Sequence, residues 1–464
     1  MEHTAHAASA EAIARVRAAL DDGGIERVLV FGADTHGQSR GKFIPRWRFH
    51  DDPSEAQHIA DVIAIMDIQD EMLAKPANYT GWWPSWESGF ADMEAIPDLD
   101  TFTPVPWIEG SALVICDFYD EQMRPVGVMP RNLLRKLSER ATAMGFTAKM
   151  ATEYEFFVFR ETMQTAREKG FRDLRPMTDG VKMYGGERAH NELELTGAIE
   201  AACEGIGVKI EAAVPEGGPS QFELNLTPQD ALRAADEGFL FKFAVKRIAE
   251  SLGYTSSFMA KLDPSGFGSS MHVHQSLWNG ERNAFFDGGS KDGLSTVGKQ
   301  YVAGLTRSLR EFTAVYAPFI TSYKRFVPEA AAGSQVVWSF GNRSTAIRAI
   351  HGAEHLTRVE NRTPGADANP YLVLAAMLAG GLWGIENDLD PGPAYVGNAY
   401  ADDSLPTVPR TLAEAVELFE QSEVANKYLG EEFVQYYGAT RRLEIDAFRD
   451  AVTDWELSRY FGTV

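Results

Sequence analysis

The sequence predicts an α+β protein in two unequal parts, and three observations carry that prediction. Four strand-like segments place polar or charged residues at alternate positions: Glu153-Tyr154-Glu155, Glu223-Leu224-Asn225, His272-Val273-His274 and Glu360-Asn361-Arg362. From about residue 125 onward such strands alternate with long helical stretches, whereas the segments before it are short. A chain of 464 residues is also too long for one small core. The expected division is 1–125 and 126–464.

Taken in order, Glu11 to Leu20 has the spacing of a short amphipathic helix, stopped by Asp21-Asp22-Gly23-Gly24. Glu26 to Ala33 reads as a strand, Asp34 to Gly37 as a turn, Lys42 to Pro45 as the opening of another strand, and His58 to Met66 as helical. Tyr79 to Phe90 carries three tryptophans among Gly, Pro and Ser. It reads either as a loop packed down by its own aromatics or as an aromatic wall beside a ligand. Strands follow at Thr101 to Pro106 and Ala112 to Asp117. Pro130 opens a helix through Ala143, with proline in the first turn, where its missing N–H is not needed. Helices are expected at Asn191 to Gly205, Gln229 to Ser251, Thr296 to Tyr316 and Tyr371 to Asn387. Asp390 to Pro409 reads as a surface flap, and Thr411 to Ser422 and Ile445 to Phe461 as closing helices.

A formal net charge of −22 argues against a nucleic-acid or anionic-membrane binder, since both need a basic surface. Two cysteines, Cys116 and Cys203, supply neither a disulfide framework nor a thiolate zinc site. Met1 to Ala10 has no apolar run and does not read as a signal peptide, and no run is long enough to span a bilayer. A soluble cytoplasmic enzyme is expected.

In an extended strand, alternate side chains share a face, so His272, His274 and Ser276 oppose Met271, Val273 and Leu277. Singly, each polar pair is an ordinary strand face. Set in apolar strands, the four together suggest a sheet lining a polar cavity. Carboxylates and a histidine converging there need a compensating cation, and oxygen-rich donors with one imidazole suit Mg2+ or Mn2+. Arg325, Arg343, Arg348 and Arg362 recur on or near the same strands and suit bidentate grip on carboxylate or phosphate. Metal-binding carboxylates with anion-binding arginines are the equipment of phosphoryl transfer from a nucleotide. No P-loop and no G-x-S-x-G elbow occurs, and Gly266-Phe267-Gly268 is not a dinucleotide fingerprint.

These segments resemble the glutamine synthetase family. The resemblance rests on Glu153-Tyr154-Glu155-Phe156-Phe157, Gln221-Phe222-Glu223, Gly268 to Leu277, Asn342-Arg343-Ser344 and Ala366 to Tyr371. Arg40-Gly41-Lys42, Ala91-Asp92-Met93 and Asp454-Trp455-Glu456 extend it over nearly the whole chain. It implies an N-terminal β-grasp domain, a catalytic domain with a curved antiparallel sheet lining the active site, and homo-oligomers, usually dodecamers of two stacked hexameric rings with sites between subunits. It implies two or three Mg2+ or Mn2+ ions per site, one held by Glu155, Glu216 and Glu223 and another by Glu153, His272 and Glu360. By the same resemblance His274, Ser276 and Arg348 contact ATP, Arg325 and Arg362 hold the glutamate carboxylate, and Gly268 lies beside the substrate. Arg343 offsets charge on the transferring phosphoryl group. The implied reaction passes through γ-glutamyl phosphate, which an amine then attacks.

The chain departs from the family's ammonia-using members at the acceptor site. They carry a glutamate six residues after the substrate arginine, where this chain has Ala331. Asn78-Tyr79-Thr80-Gly81 lacks the acid that completes the ammonium pocket, although Asp92 is retained. Fewer carboxylates and more room point to an organic amine as acceptor: an alkylamine, ethanolamine, a polyamine or aniline, with a lean towards an apolar or aromatic one. A role in amine catabolism or detoxification would follow. The alternatives are a glutamine synthetase using ammonia through another base, and a catalytically weak sensor. Ser220 stands where a glycine is usual, and Phe267 where an asparagine is frequent. Tyr400 lies in a flap resembling the region adenylylated in some relatives, but Asn398-Ala399-Tyr400-Ala401 matches it poorly and no such modification is expected.

Overall fold

The computed structural model describes residues 8–180 and 182–464, so the first seven residues of the Met1–Ala10 stretch lie outside the described residues. Among the described residues the strands form two sheets. The smaller holds β1 (Arg27–Ala33), β2 (Ser39–Pro45), β3 (Gln57–Ala60), β4 (Asp92–Pro97), β5 (Thr103–Pro104) and β6 (Ser111–Tyr119), in the order β2-β1-β6-β4-β3 with β5 on β6. β1 and β6 run parallel, and its other pairs are antiparallel.

The larger sheet holds β7 (Thr147–Phe159), β8 (Ile210–Pro215), β9 (Gln221–Leu226), β10 (Gln229–Asp230), β11 (Thr255–Ser257), β12 (Met271–Asn279), β13 (Arg282–Asn283), β14 (Trp338–Phe340), β15 (Ile347–Ile350) and β16 (Arg358–Asn361). Its path is β14-β15-β16-β12-β7-β9-β8, antiparallel except between β14 and β15. The α+β expectation holds.

One face of β7 is apolar. Tyr154 and Phe156 are buried against Phe241 and Phe258, beneath which lies the helix Ala231–Ser251. That packing turns Glu153 and Glu155 to the opposite face, where the period of two requires them. The helix Pro370–Glu386 is apolar all round and almost wholly buried. Asn369 caps it by accepting from the Tyr371 amide at 3.0 Å, with Pro370 in the first turn. It crosses Thr296–Ser308 at glycines: a Cβ on Gly304 would lie 2.1 Å from the Gly380 carbonyl, so any other residue would force the helices apart.

Several expectations shift. His58–Met66 is not helical; β3 pairs with β4 and a 3-10 turn Asp61–Ala64 follows, strand pairing having overridden the local pattern. Thr101–Pro106 contracts to β5, because Pro104 and Pro106 supply no N–H to a ladder. Thr296–Tyr316 breaks between Ser308 and Thr313, where Ser308 and Thr313 hydroxyls donate back to the Gly304 and Leu309 carbonyls. Ile445–Phe461 divides into the end of Glu431–Asp450 and a separate helix Asp454–Tyr460 started by a Thr453/Glu456 capping box. The tryptophan-rich loop splits its two readings: Trp83 is buried, while Trp86 is 77% exposed.

Candidate active site

Strand register assembles the polar face. Glu153 stands opposite His272 on β12 and Asn225 on β9, and Glu155 stands opposite Glu223. His274 and Arg348 both stand opposite Glu360 on β16. Residues far apart in sequence therefore meet across adjacent strands.

Two groupings of potential ligand atoms result, Glu153–His272–Glu360 and Glu155–Glu223–His272, the atoms within each lying no more than 4.8 Å apart. His272 Nδ1 donates to Glu153 at 2.7 Å, which leaves Nε2 buried without a hydrogen-bond partner. Asn225 Nδ2 donates to Glu153 at 2.7 Å, and the Ser270 amide to Glu155 at 2.8 Å. Glu216, expected in the first trio, stands outside both groupings; its Oε2 accepts from the Gly217 amide at 2.9 Å.

The electrostatics sort these carboxyls. Burial, then the neighbouring Glu153, Glu155 and Glu216, push Glu223 up to about 9. Burial and Glu155 also raise Glu216. Burial works in the same direction on Glu153, but hydrogen bonds from His272 and His274 outweigh it and hold its carboxyl well below the ordinary range. At Glu360, Arg362 and the two histidines overcome burial and bring it to about 2. Crowded carboxylates beside an unpartnered imidazole nitrogen fit a divalent cation, which would relieve the repulsion and take up the free donor.

The arginines separate into kinds. Arg362 donates to Glu360 at 2.6 Å and to the Ala331 carbonyl at 3.3 Å. Arg348 donates to the other Glu360 oxygen at 2.8 Å. Arg325 is buried, donates to Ser270 Oγ at 2.9 Å and to the Thr363 carbonyl, and is pushed down to about 10 by burial. Gly268 has to be glycine, since a Cβ would lie 2.5 Å from Arg325 Cγ. Arg343 is exposed and has neither hydrogen bond nor ion pair among the described residues. His274 Nε2 lies 3.4 Å from Glu153, and Ser276 accepts from Trp278 Nε1 at 2.9 Å. Ala331 is exposed, with φ of 53°. Ser220 adopts φ of 55°, which accounts for a glycine being usual there.

The sequence reading missed Arg358, whose Nε donates to His274 Nδ1 at 3.2 Å. The signal was present: Arg358 precedes Glu360 by two on one strand and so shares its face.

The sequence profile of the glutamine synthetase catalytic domain matches residues 127–460. The chain belongs to the glutamine synthetase family. This family uses ATP with Mg2+ or Mn2+, in keeping with the acidic and histidine groupings of the site. Among relatives, a glutamate–isopropylamine ligase of Pseudomonas sp. is 36% identical over 458 residues, covering 97% of this chain and 98% of its own. A gamma-glutamylethanolamide synthetase of Streptomyces coelicolor is 36% identical over 455 residues, covering 97% and 95%. A glutamine synthetase of Clostridium saccharobutylicum is 37% identical over 388 residues, covering 80% and 85%. Among solved structures, GmaS without ligand superposes with a TM-score of 0.83 at 27% identity, covering 96% of this chain and 99% of that one. No helix among the described residues is long and apolar enough to cross a membrane.

Proposed function

We propose that this family member is an ATP-dependent ligase joining the γ-carboxylate of glutamate to an organic amine rather than to ammonia. Ala331 carries the reading. It occupies the position of the ammonia-using members' glutamate, on a loop that Arg362 binds through the Ala331 carbonyl. A methyl group there neither attracts ammonium nor fills a carboxylate's space. The stretch Asn78-Tyr79-Thr80-Gly81, where a second acid is expected, has none, and its Tyr79 donates to the Trp82 carbonyl at 3.3 Å. The two amine-ligase relatives, each 36% identical over 97% of this chain, support the same reading.

Glu153, His272 and Glu360 would hold one cation, and Glu155 and Glu223, with Glu216, another. When bound, these cations neutralise phosphate charge. His274, Ser276 and Arg348 contact ATP, with Arg358 orienting His274. Arg325 and Arg362 grip the glutamate α-carboxylate, so its γ-carboxylate faces the nucleotide. Arg343, exposed and unpaired, is free to meet the transferring phosphoryl group. The γ-carboxylate oxygen takes the γ-phosphoryl group and ADP leaves. The amine nitrogen then attacks the acyl carbon, phosphate departs with the oxygen, and the amine loses one proton. Amine catabolism or detoxification in the cytoplasm is the setting this chemistry suits. The unit division near residue 125 and a dodecamer of two rings belong to the same reading, with the exposed Trp86 loop reaching a neighbouring copy's site.

Phosphate release from ATP, glutamate and Mg2+ across ammonium, isopropylamine, ethanolamine, putrescine, spermine and aniline tests the proposal. Turnover should favour an organic amine. Ammonium outrunning the whole panel would establish the alternative, a glutamine synthetase using another base.

A further inference from the structure

One polar group near the substrate arginines donates to nothing and has no part in the chemistry above. The Tyr400 hydroxyl is buried, and among the described residues its hydrogen has no acceptor. A buried phenol ordinarily finds an acceptor or donor, so an orphan calls for an explanation. Arg325 and Arg362 each also keep a buried Nε without a partner. Three donors thus lie in one neighbourhood without an acceptor to receive them.

The backbone fixes Tyr400 in this place. It sits in the 3-10 turn Ala399–Ala401, where Asn398 accepts from its amide at 3.0 Å and Ser344 accepts from the Ala399 amide at 3.0 Å. Asn342 donates to the Gly397 carbonyl at 2.8 Å. Beyond the turn, the chain runs beside the loop that follows Arg325: the Val336 amide donates to Pro406 at 2.8 Å, and the Val408 amide to Ser334 at 3.0 Å. Gly333 of that loop, at φ of 59°, is pressed against Arg362, where a Cβ would lie 2.8 Å from the arginine's carbonyl carbon. The Gly333 amide points at the Tyr400 oxygen, which leaves the hydroxyl free to donate. Burial raises its pKa more than Arg362, the Gly333 amide and Arg325 together lower it, so the hydroxyl keeps its proton.

We propose that the Tyr400 hydroxyl is a third anchor for the α-carboxylate of the amino-acid substrate, donating alongside Arg325 and Arg362. A carboxylate is acceptor-only and has room for several donors on its two oxygens. The proposal rests on the reading of those two arginines as the carboxylate grip. It assigns the flap a binding role: the flap carries a substrate contact, and its fit on the Asn342–Ser344 turn sets where that contact stands.

Glutamate binding to wild type and Tyr400→Phe, measured by calorimetry with Mg2+ and ADP and no amine, tests it. Removing a hydrogen bond to a charged group should weaken glutamate roughly tenfold or more. ADP affinity and melting temperature should be nearly unchanged, because among the described residues the hydroxyl hydrogen has no acceptor to lose. 4-Aminobutyrate, which lacks the α-carboxylate, should bind both proteins alike. Unchanged glutamate affinity would overturn the proposal. So would a loss shared equally by 4-aminobutyrate, or one accompanied by weaker ADP binding and a lower melting temperature, the pattern of a purely structural tyrosine. No acceptor takes part, so the outcome is independent of whether the product is glutamine or an amide.

Discussion

Two of the buried charge clusters are built in opposite ways. Where the small sheet meets the helices, Arg131 is 3% exposed and every nitrogen is used. Nε and Nη2 donate to Asp236 at 2.9 Å each, Nη1 to Asp117 at 2.7 Å and Nη2 to Asp98 at 2.7 Å. Tyr371 adds a donor to Asp236 at 2.7 Å. On the large sheet, Glu223 is pushed up to about 9 by burial and by neighbouring carboxylates; among the described residues His272 Nε2 has no partner, and Arg325, Arg348 and Arg362 each keep an idle Nε. In the first cluster the central Arg131 is fully satisfied within the chain and ties elements together. The second is left incomplete, and what completes it must arrive with cations and substrate.

The contrast can be broken most sharply by Arg343→Ala. An arginine facing a transferring phosphoryl group is worth about 10³-fold or more in turnover, and this one has no partner among the described residues, so steady-state ADP release should collapse while the melting temperature holds. Arg131→Ala should do the reverse: it leaves Asp236 buried without its counter-charge and Asp98 and Asp117 with Arg135 alone, at a cost of about 3–5 kcal/mol visible in urea unfolding. A third test adds Mg2+ or Mn2+ to the free protein. At a hundredfold over its dissociation constant a cation should stabilise wild type by about 2.7 kcal/mol, and Glu223→Gln should blunt the gain in thermal shift; an equal shift in both proteins would place the cation elsewhere.

The smallest effect concerns Asp61, 5% exposed and lifted to about 6 by burial and by Asp92. Raised in the folded state, it keeps its proton while the unfolded chain ionises, so stability is lost between about pH 4 and pH 6. Asp61→Asn should therefore melt about 2–4 °C above wild type at pH 7 and level with it at pH 3.5. An advantage that persists at pH 3.5 would refute the titration as its cause.

Much of the site was legible because strand geometry is local. Glu153, Glu155, His272, His274 and Glu360 declared themselves through a period of two, and register then brought them together. The helix from Pro130 to Ala143 matched its expected bounds because proline at its start is a local signal. What escaped depends on distant partners. β3 exists because β4 lies beside it. Tyr400 lies 75 residues from Arg325 in sequence, and only the flap's seat on the Asn342–Ser344 turn makes them neighbours.

The most direct test of the acceptor assignment is a competition. With ATP, glutamate, Mg2+ and equal concentrations of ammonium and isopropylamine or ethanolamine, the products are weighed by mass spectrometry. The expected result is a predominance of the γ-glutamyl alkylamide or ethanolamide, and Ala331→Glu should move the ratio towards glutamine. Glutamine as the main product of the unaltered protein in both mixtures would contradict the assignment of Ala331 to an organic-amine site.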